Sequence, residues 1–148
     1  MSDFLAFLKT LRNPIHIVLF FVLIALCNSC SSVNHAKLPI GYVDVPAPGK
    51  EAVFNGNSVI EGWALSDEGI QEIALYVDRQ YLSSAQIAIS RPDVTAAFPK
   101  EAHAGNSGWR AAIDVTNLAV GSHDVVVQAM GRNGAKRDIG AFQVRVVK

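Results

Sequence analysis

The stretch His123–Val147, "HDVVVQAMGRNGAKRDIGAFQVRVV", decides the fold. In its first part Val125, Val127 and Ala129 alternate with Asp124 and Gln128. In its last part Phe142, Val144 and Val146 alternate with Gln143 and Arg145. A two-residue period puts one set of side chains on each face of a half-buried strand. Between the two runs lies "GRNGAK", and Asn133-Gly134 is the clearest hairpin signal in the chain. An antiparallel pair of strands is therefore expected here.

The same pattern recurs upstream. "WRAAIDV" sets Trp109, Ala111, Ile113 and Val115 against Arg110 and Asp114. "EIALYVD" sets Ile73, Leu75 and Val77 against Glu72, Tyr76 and Asp78, and "YLSSAQIAI" follows after a short "DRQ" turn. "NSVIEGWAL" comes after the turn dipeptide Asn55-Gly56. "YVDVP" stops at Pro46 and Pro48, as an edge strand does. These make about seven strands in residues 41–148, with no helix longer than two turns. The expectation is an all-β fold, an antiparallel Ig-like β-sandwich of about seven strands, with a small barrel as the alternative.

The chain of 148 residues is long enough for one domain with a real core. Lys+Arg and Asp+Glu balance at 13 each, so no basic excess points to nucleic acid and no acidic tail to a basic partner. The first thirty residues are a different material. Lys9 and Arg12 precede the apolar run Ile15–Cys27, broken only by His16, and small polar residues follow. That order belongs to a secretory signal, and the run is short of the ~20 residues that a spanning helix needs. Residues 1–30 are expected to be a signal peptide or membrane anchor, 31–40 a linker and 41–148 the folded domain. The protein is then exported, with its domain outside the cytoplasm and the membrane as a partner of its N-terminal segment.

Both cysteines lie in that segment. Cys27-x-x-Cys30 has no second pair downstream, so a zinc or redox reading is weak. "LCNSC" resembles instead a bacterial lipoprotein signal, with Cys30 as the lipid-modified residue after the small Ser29; Asn28 and Cys27 depart from that pattern. Lipidation would tether the protein rather than make it span. Residues 31–148 hold no cysteine, so no disulfide or thiol chemistry is available there.

A wider likeness covers residues 41–148. It is carried by Gly62-Trp63-Ala64, Arg91-Pro92-Asp93-Val94, Ser107-Gly108-Trp109 and Leu118-x-x-Gly121-x-His123. Together these resemble a bacterial Ig-like (immunoglobulin/fibronectin-III-type) domain of secreted and cell-envelope proteins, often found beside glycan-processing modules. Arg79 departs from the pattern, because Gly usually follows Val77-Asp78 at that hairpin, and a different turn type is expected. The likeness implies a fold and a compartment. It does not imply a ligand, and a partner would be an envelope protein or a glycan.

The candidate sites centre on the long connection Ile89–Trp109, "ISRPDVTAAFPKEAHAGNSGW". Pro92 ends a strand, and Asp93 is expected to cap one helical turn. Arg91 is expected to pair with Asp93 or another acid. Phe98 and Pro99 are expected to plug the end of the sandwich. A hydrolase reading would gather His103, Asp93, Glu101 and Ser107, yet no Gly-x-Ser-x-Gly elbow is present, and no catalytic residue is expected. Asp67-Glu68 are adjacent in a turn, whereas glycoside hydrolysis needs carboxylates about 5–9 Å apart across a cleft. There is no Asp-x-Asp-x-Asp-Gly run, and His35, His103 and His123 are scattered, so no metal or cofactor is expected. His123, in "LAVGSH", is expected to lock a sandwich corner as a tyrosine does elsewhere. Trp109 shares parity with the core; Trp63 is ambiguous; Tyr76 and Tyr81 flank the "DRQ" hairpin on the outer side. The candidate binding residues are Trp63, Tyr76, Tyr81, Arg91, Asp93 and His103. The expected function is a non-enzymatic binding, assembly or spacer module. A carbohydrate-binding module and, less favoured, a small hydrolase using 91–108 are the alternatives.

Overall fold

A computed structural model describes residues 36–148; the expected signal or anchor, Cys30 and residues 31–35 of the linker lie outside the described residues. Among the described residues nine strands run in the order β1 (Ile40–Val45), β2 (Ala52–Phe54), β3 (Asn57–Leu65), β4 (Ile70–Val77), β5 (Gln80–Ser84), β6 (Gln86–Ile89), β7 (Gly108–Asp114), β8 (Gly121–Gly131) and β9 (Lys136–Val146). A short helix α1 (Pro92–Ala97) and a 3-10 turn at Ala104–Asn106 fall between β6 and β7. The strands form a four-stranded sheet, β1-β3-β7-β6, and a five-stranded sheet, β2-β9-β8-β4-β5. Two open sheets face each other, so the fold is an all-β sandwich and not a barrel. With β1, β3, β4, β6, β7, β8 and β9 as strands A to G, the orders are A-B-E-D and G-F-C, those of an immunoglobulin-type sandwich.

Nine strands replace the expected seven for two reasons. "YLSSAQIAI" is two strands: β5 pairs with β4 in one sheet, and beyond Ala85 the chain crosses to pair β6 with β7 in the other. The three-residue β2 is too short to be read from alternation, and it lies parallel to β9 through Ala52↔Val144 and Phe54↔Val146. That parallel pair corrects the expectation of a wholly antiparallel fold.

The alternations define the core. Ile73, Leu75 and Val77 of β4, Trp109, Ala111 and Ile113 of β7, Val125, Val127 and Ala129 of β8, and Val144 and Val146 of β9 are buried together between the sheets. Two hairpins show local chemistry at work. The β8–β9 turn is a three-residue loop rather than a two-residue one: Gly131 N donates to the Ala135 carbonyl and Gly134 N to that of Gly131. Gly134 takes φ +79, and the Asn133 carboxamide accepts from Ala135 N. In the β4–β5 turn Asp78 (φ 50) and Arg79 (φ 68) are both left-handed, as a two-residue primed turn requires. The turn type expected to change at Arg79 is therefore kept.

Residues 36–40 are not free tether. Pro39 is buried, and the Lys37 carbonyl accepts from Asn133 Nδ2. The folded unit runs Ala36–Lys148.

Candidate functional site

The long connection lies over a sheet face, not at the end of the sandwich. In β3, Ile60, Gly62 and Ala64 point inward, which turns Glu61, Trp63 and Leu65 outward. Leu65 is 2% exposed because α1 and the 3-10 turn cover it, burying Val94 and Ala104 against it. The Phe98 ring packs on Trp63 with centroids 5.2 Å apart. Phe98 thus closes a second, outer core, while Pro99 stays exposed, which corrects the expected plug.

Two Gly-Trp steps set the spacing beneath this cover. Gly62 pairs with Trp109 and Trp63 with Gly108, so each indole stands opposite a glycine across the ladder. The inner indole, Trp109, lies against Gly62 and is 2% exposed.

Arg91 pins the start of the connection. Its Nε and Nη2 donate to both Asp93 oxygens at 2.9 and 2.6 Å, and Nη1 donates to Asp44 of β1 at 2.7 Å. The fork geometry of guanidinium allows this two-acid grip. Hydrogen bonds from Arg91 hold the Asp93 carboxyl down to about 2, and the two acids raise the Arg91 pKa above its ordinary value. Asp93 therefore does not cap α1: Arg91 is the N-cap residue, Pro92 opens the helix, and Asp93 sits in the first turn with its carboxylate on Arg91.

His123 locks the β7–β8 corner. Its Nε2 bonds the Ala119 carbonyl at 2.8 Å, the bond a corner tyrosine makes to upstream backbone. Its Nδ1 also meets Asp78 Oδ2 at 2.7 Å. An acceptor facing each nitrogen favours the doubly protonated ring. The Asp78 hydrogen bond, then that of the Ala119 carbonyl, raises the His123 pKa, against the effect of burial.

The aromatic candidates are dispersed. Tyr76 and Tyr81 form a cross-strand pair on the outer face of the five-stranded sheet, edge to face with centroids 5.9 Å apart. Tyr81 is 58% exposed. Trp63 lies on the outer face of the other sheet, so the three aromatics make no common platform. In the hydrolase set, the buried Ser107 hydroxyl donates to the Ala104 carbonyl, Asp93 is held by Arg91, and Glu101 faces Lys37 at 3.8 Å. Among the described residues no cluster of three or more His, Cys, Asp or Glu is arranged to hold a metal.

His103 does enter a built feature. A cleft of about 290 Å³ opens beside the end of the connection, lined by His103, Ser107, Asn106, Gly69, Arg132, Trp109 and apolar residues of β4 and β6; of the hydrolase set it brings His103 and Ser107 together, with no Asp or Glu beside them. Gly69 and Arg132 carried no signal in the sequence, because each belongs to a turn remote from the connection.

No protein-family model and no curated protein matches the chain. Among solved structures, it is similar to an endo-beta-1,4-mannanase from Thermotoga petrophila, with 11% identity and a TM-score of 0.49 over 84% of this chain and 22% of that one. It is also similar to the CbhA fibronectin(III)-like modules of Clostridium thermocellum, with 17% identity and a TM-score of 0.46 over 74% of this chain and 45% of that one. The chain thus spans less than half of either.

Proposed function

We propose that the chain is a non-enzymatic Ig-like module, held at a bacterial cell envelope by its N-terminal segment, that binds, assembles or spaces other envelope components. The observation that supports this reading is the use to which the long connection puts its polar groups. Arg91 and Asp93 are consumed in anchoring the start of the loop and the Ser107 hydroxyl in its closing turn; Ser107 and His103 line one cleft, and no Asp or Glu joins them in its lining. The order of charge, apolar run and small residues before Cys30 supports export and lipid tethering.

Radiolabelled palmitate tests the tether: label enters the wild type and is lost in Cys30→Ala. Label persisting in Cys30→Ala would reject Cys30 as the lipid site. A glycan-binding reading is favoured by one observation, the exposed Tyr81 ring beside Tyr76. Retention on an envelope polysaccharide that Tyr81→Ala abolishes, and Trp63→Ala spares, would establish it over the preferred reading.

A further inference from the structure

We propose that the cleft at the end of the long connection binds a small carboxylate ligand about the size of one uronic acid residue. This goes beyond the module reading and does not depend on it. The size follows from the volume of about 290 Å³, at the lower end of ligand pockets.

The charge follows from the lining, which contains Arg132 and His103 and no Asp or Glu. A side-chain carbon at Gly69 would stand 3.6 Å from His103 Nε2 and 3.7 Å from Arg132 Nε. His103 Nε2 and Arg132 Nε therefore both lie beside the open side of Gly69, which takes φ +86. Nearby acids are turned elsewhere: Lys37 Nζ takes Asp67 at 2.8 Å and Glu101 at 3.8 Å, and exposed Glu68 is not part of the lining. Among the described residues Arg132 has no acid within ion-pair distance. A guanidinium so placed takes a carboxylate in a forked pair.

The rest of the lining suits a ring that is apolar on one side and polar on the other. Ile70, Ile73 and Ile87 supply the apolar part, and Asn106 supplies a carboxamide. Trp109 forms part of the wall, and its buried indole N–H has no acceptor among the described residues. Arg132 is the one permanent charge in the lining, which matches a singly charged carboxylate.

The test uses the full chain, ¹⁵N-labelled in detergent, titrated with glucuronate while its two indole N–H signals are followed. A saturable movement of the Trp109 signal is expected, with Trp63 as the internal reference. Glucose should leave Trp109 in place, and Arg132→Gln should weaken glucuronate at least about tenfold, the loss of one charge-assisted contact. The Arg132 side chain is exposed and forms no ion pair among the described residues, so Arg132→Gln is expected to keep the wild-type circular dichroism spectrum, which is checked first. No saturable movement, an equal response to glucose, or unchanged affinity in Arg132→Gln would overturn the proposal. Displacement of glucuronate by inorganic phosphate at lower concentration would overturn its carboxylate class.

Discussion

Replacing Gly62 by Ala tests the close approach that organises the four-stranded sheet. A methyl carbon there would overlap the Tyr42 carbonyl oxygen and stand 2.6 and 2.9 Å from Trp109 Cζ2 and Cε2. Neither neighbour gives easily. Tyr42 is backbone of β1, held in the β1–β3 ladder by the pairs on either side of it. Trp109 is 2% exposed and packed among core side chains. Overpacking a filled core costs about 1–3 kcal/mol, and a clash with backbone as well as with a buried ring puts this case near the top of that range. For a domain of this size, about 3 kcal/mol lowers Tm by about 10–15 °C. Gly105→Ala is the control, because its new carbon meets only Thr95 Oγ1 at an ordinary 3.7 Å; it should cost less than about 0.5 kcal/mol. Thermal unfolding by far-ultraviolet circular dichroism measures both, and the near-ultraviolet tryptophan signal reports whether Trp109 moves. A Gly62→Ala variant that melts within about 2 °C of the wild type with an unchanged tryptophan signal would refute the packing described for this pair.

Three further outcomes are expected. The His123 pKa is raised, so the stability from its ion pair is fully present below its ordinary 6.5 and is lost as pH rises through the folded value. Asp78 is lowered from 3.8, so its share is present above that value and lost as pH falls through the lower folded one. The Tm gap between wild type and His123→Gln should therefore be widest at pH 5–6 and narrow toward pH 9; a gap constant over that range would show a neutral imidazole. Arg79→Gly should stabilise the domain by about 0.5–1 kcal/mol, read as a higher urea midpoint at unchanged slope, since it relieves a left-handed non-glycine residue; a lower midpoint would contradict the strain. Phe98→Ala should cost about 2 kcal/mol, less than the 3–5 for a fully buried ring, and should strip hydrogen-exchange protection from residues 92–107 before the core strands; simultaneous loss would show that the outer core is not separable.

Strands were legible where one face meets the core and the other meets water, because a period of two is then imposed along the whole run. Val125, Val127 and Ala129 could be assigned inward from spacing alone, and they are buried. His123 was legible as a corner residue from its local spacing, but Asp78, its second partner, is 45 residues away and was not. The same distinction governs the long connection. The Arg91–Asp93 pair could be foreseen, whereas Asp44, 47 residues earlier, could not. Asp93 failed as a cap because a bidentate guanidinium outcompetes two backbone N–H groups for one carboxylate. Trp63 was ambiguous for a physical reason: its strand is covered on both faces, so parity no longer separates apolar from polar. β2 is held by β9 through three residue pairs, and no local pattern reports such a contact.

That double coverage also explains which polar groups of the long connection remain free. The outer face of β3 presents Trp63 and Leu65, too apolar to leave in water, and a cover had to be built from the connection between β6 and β7. Building it committed Val94, Phe98 and Ala104 to packing, Arg91 and Asp93 to anchoring, and Ser107 to the turn. The chemistry that first draws the eye to this segment is therefore the part already spent on structure. What is left with exposed polar side chains beside a cavity is its far end, His103 and Asn106, where the connection returns to β7. There a turn glycine and an arginine from two other loops meet it. The recognition proposed for this segment therefore sits at its loop end, apart from the residues that anchor it.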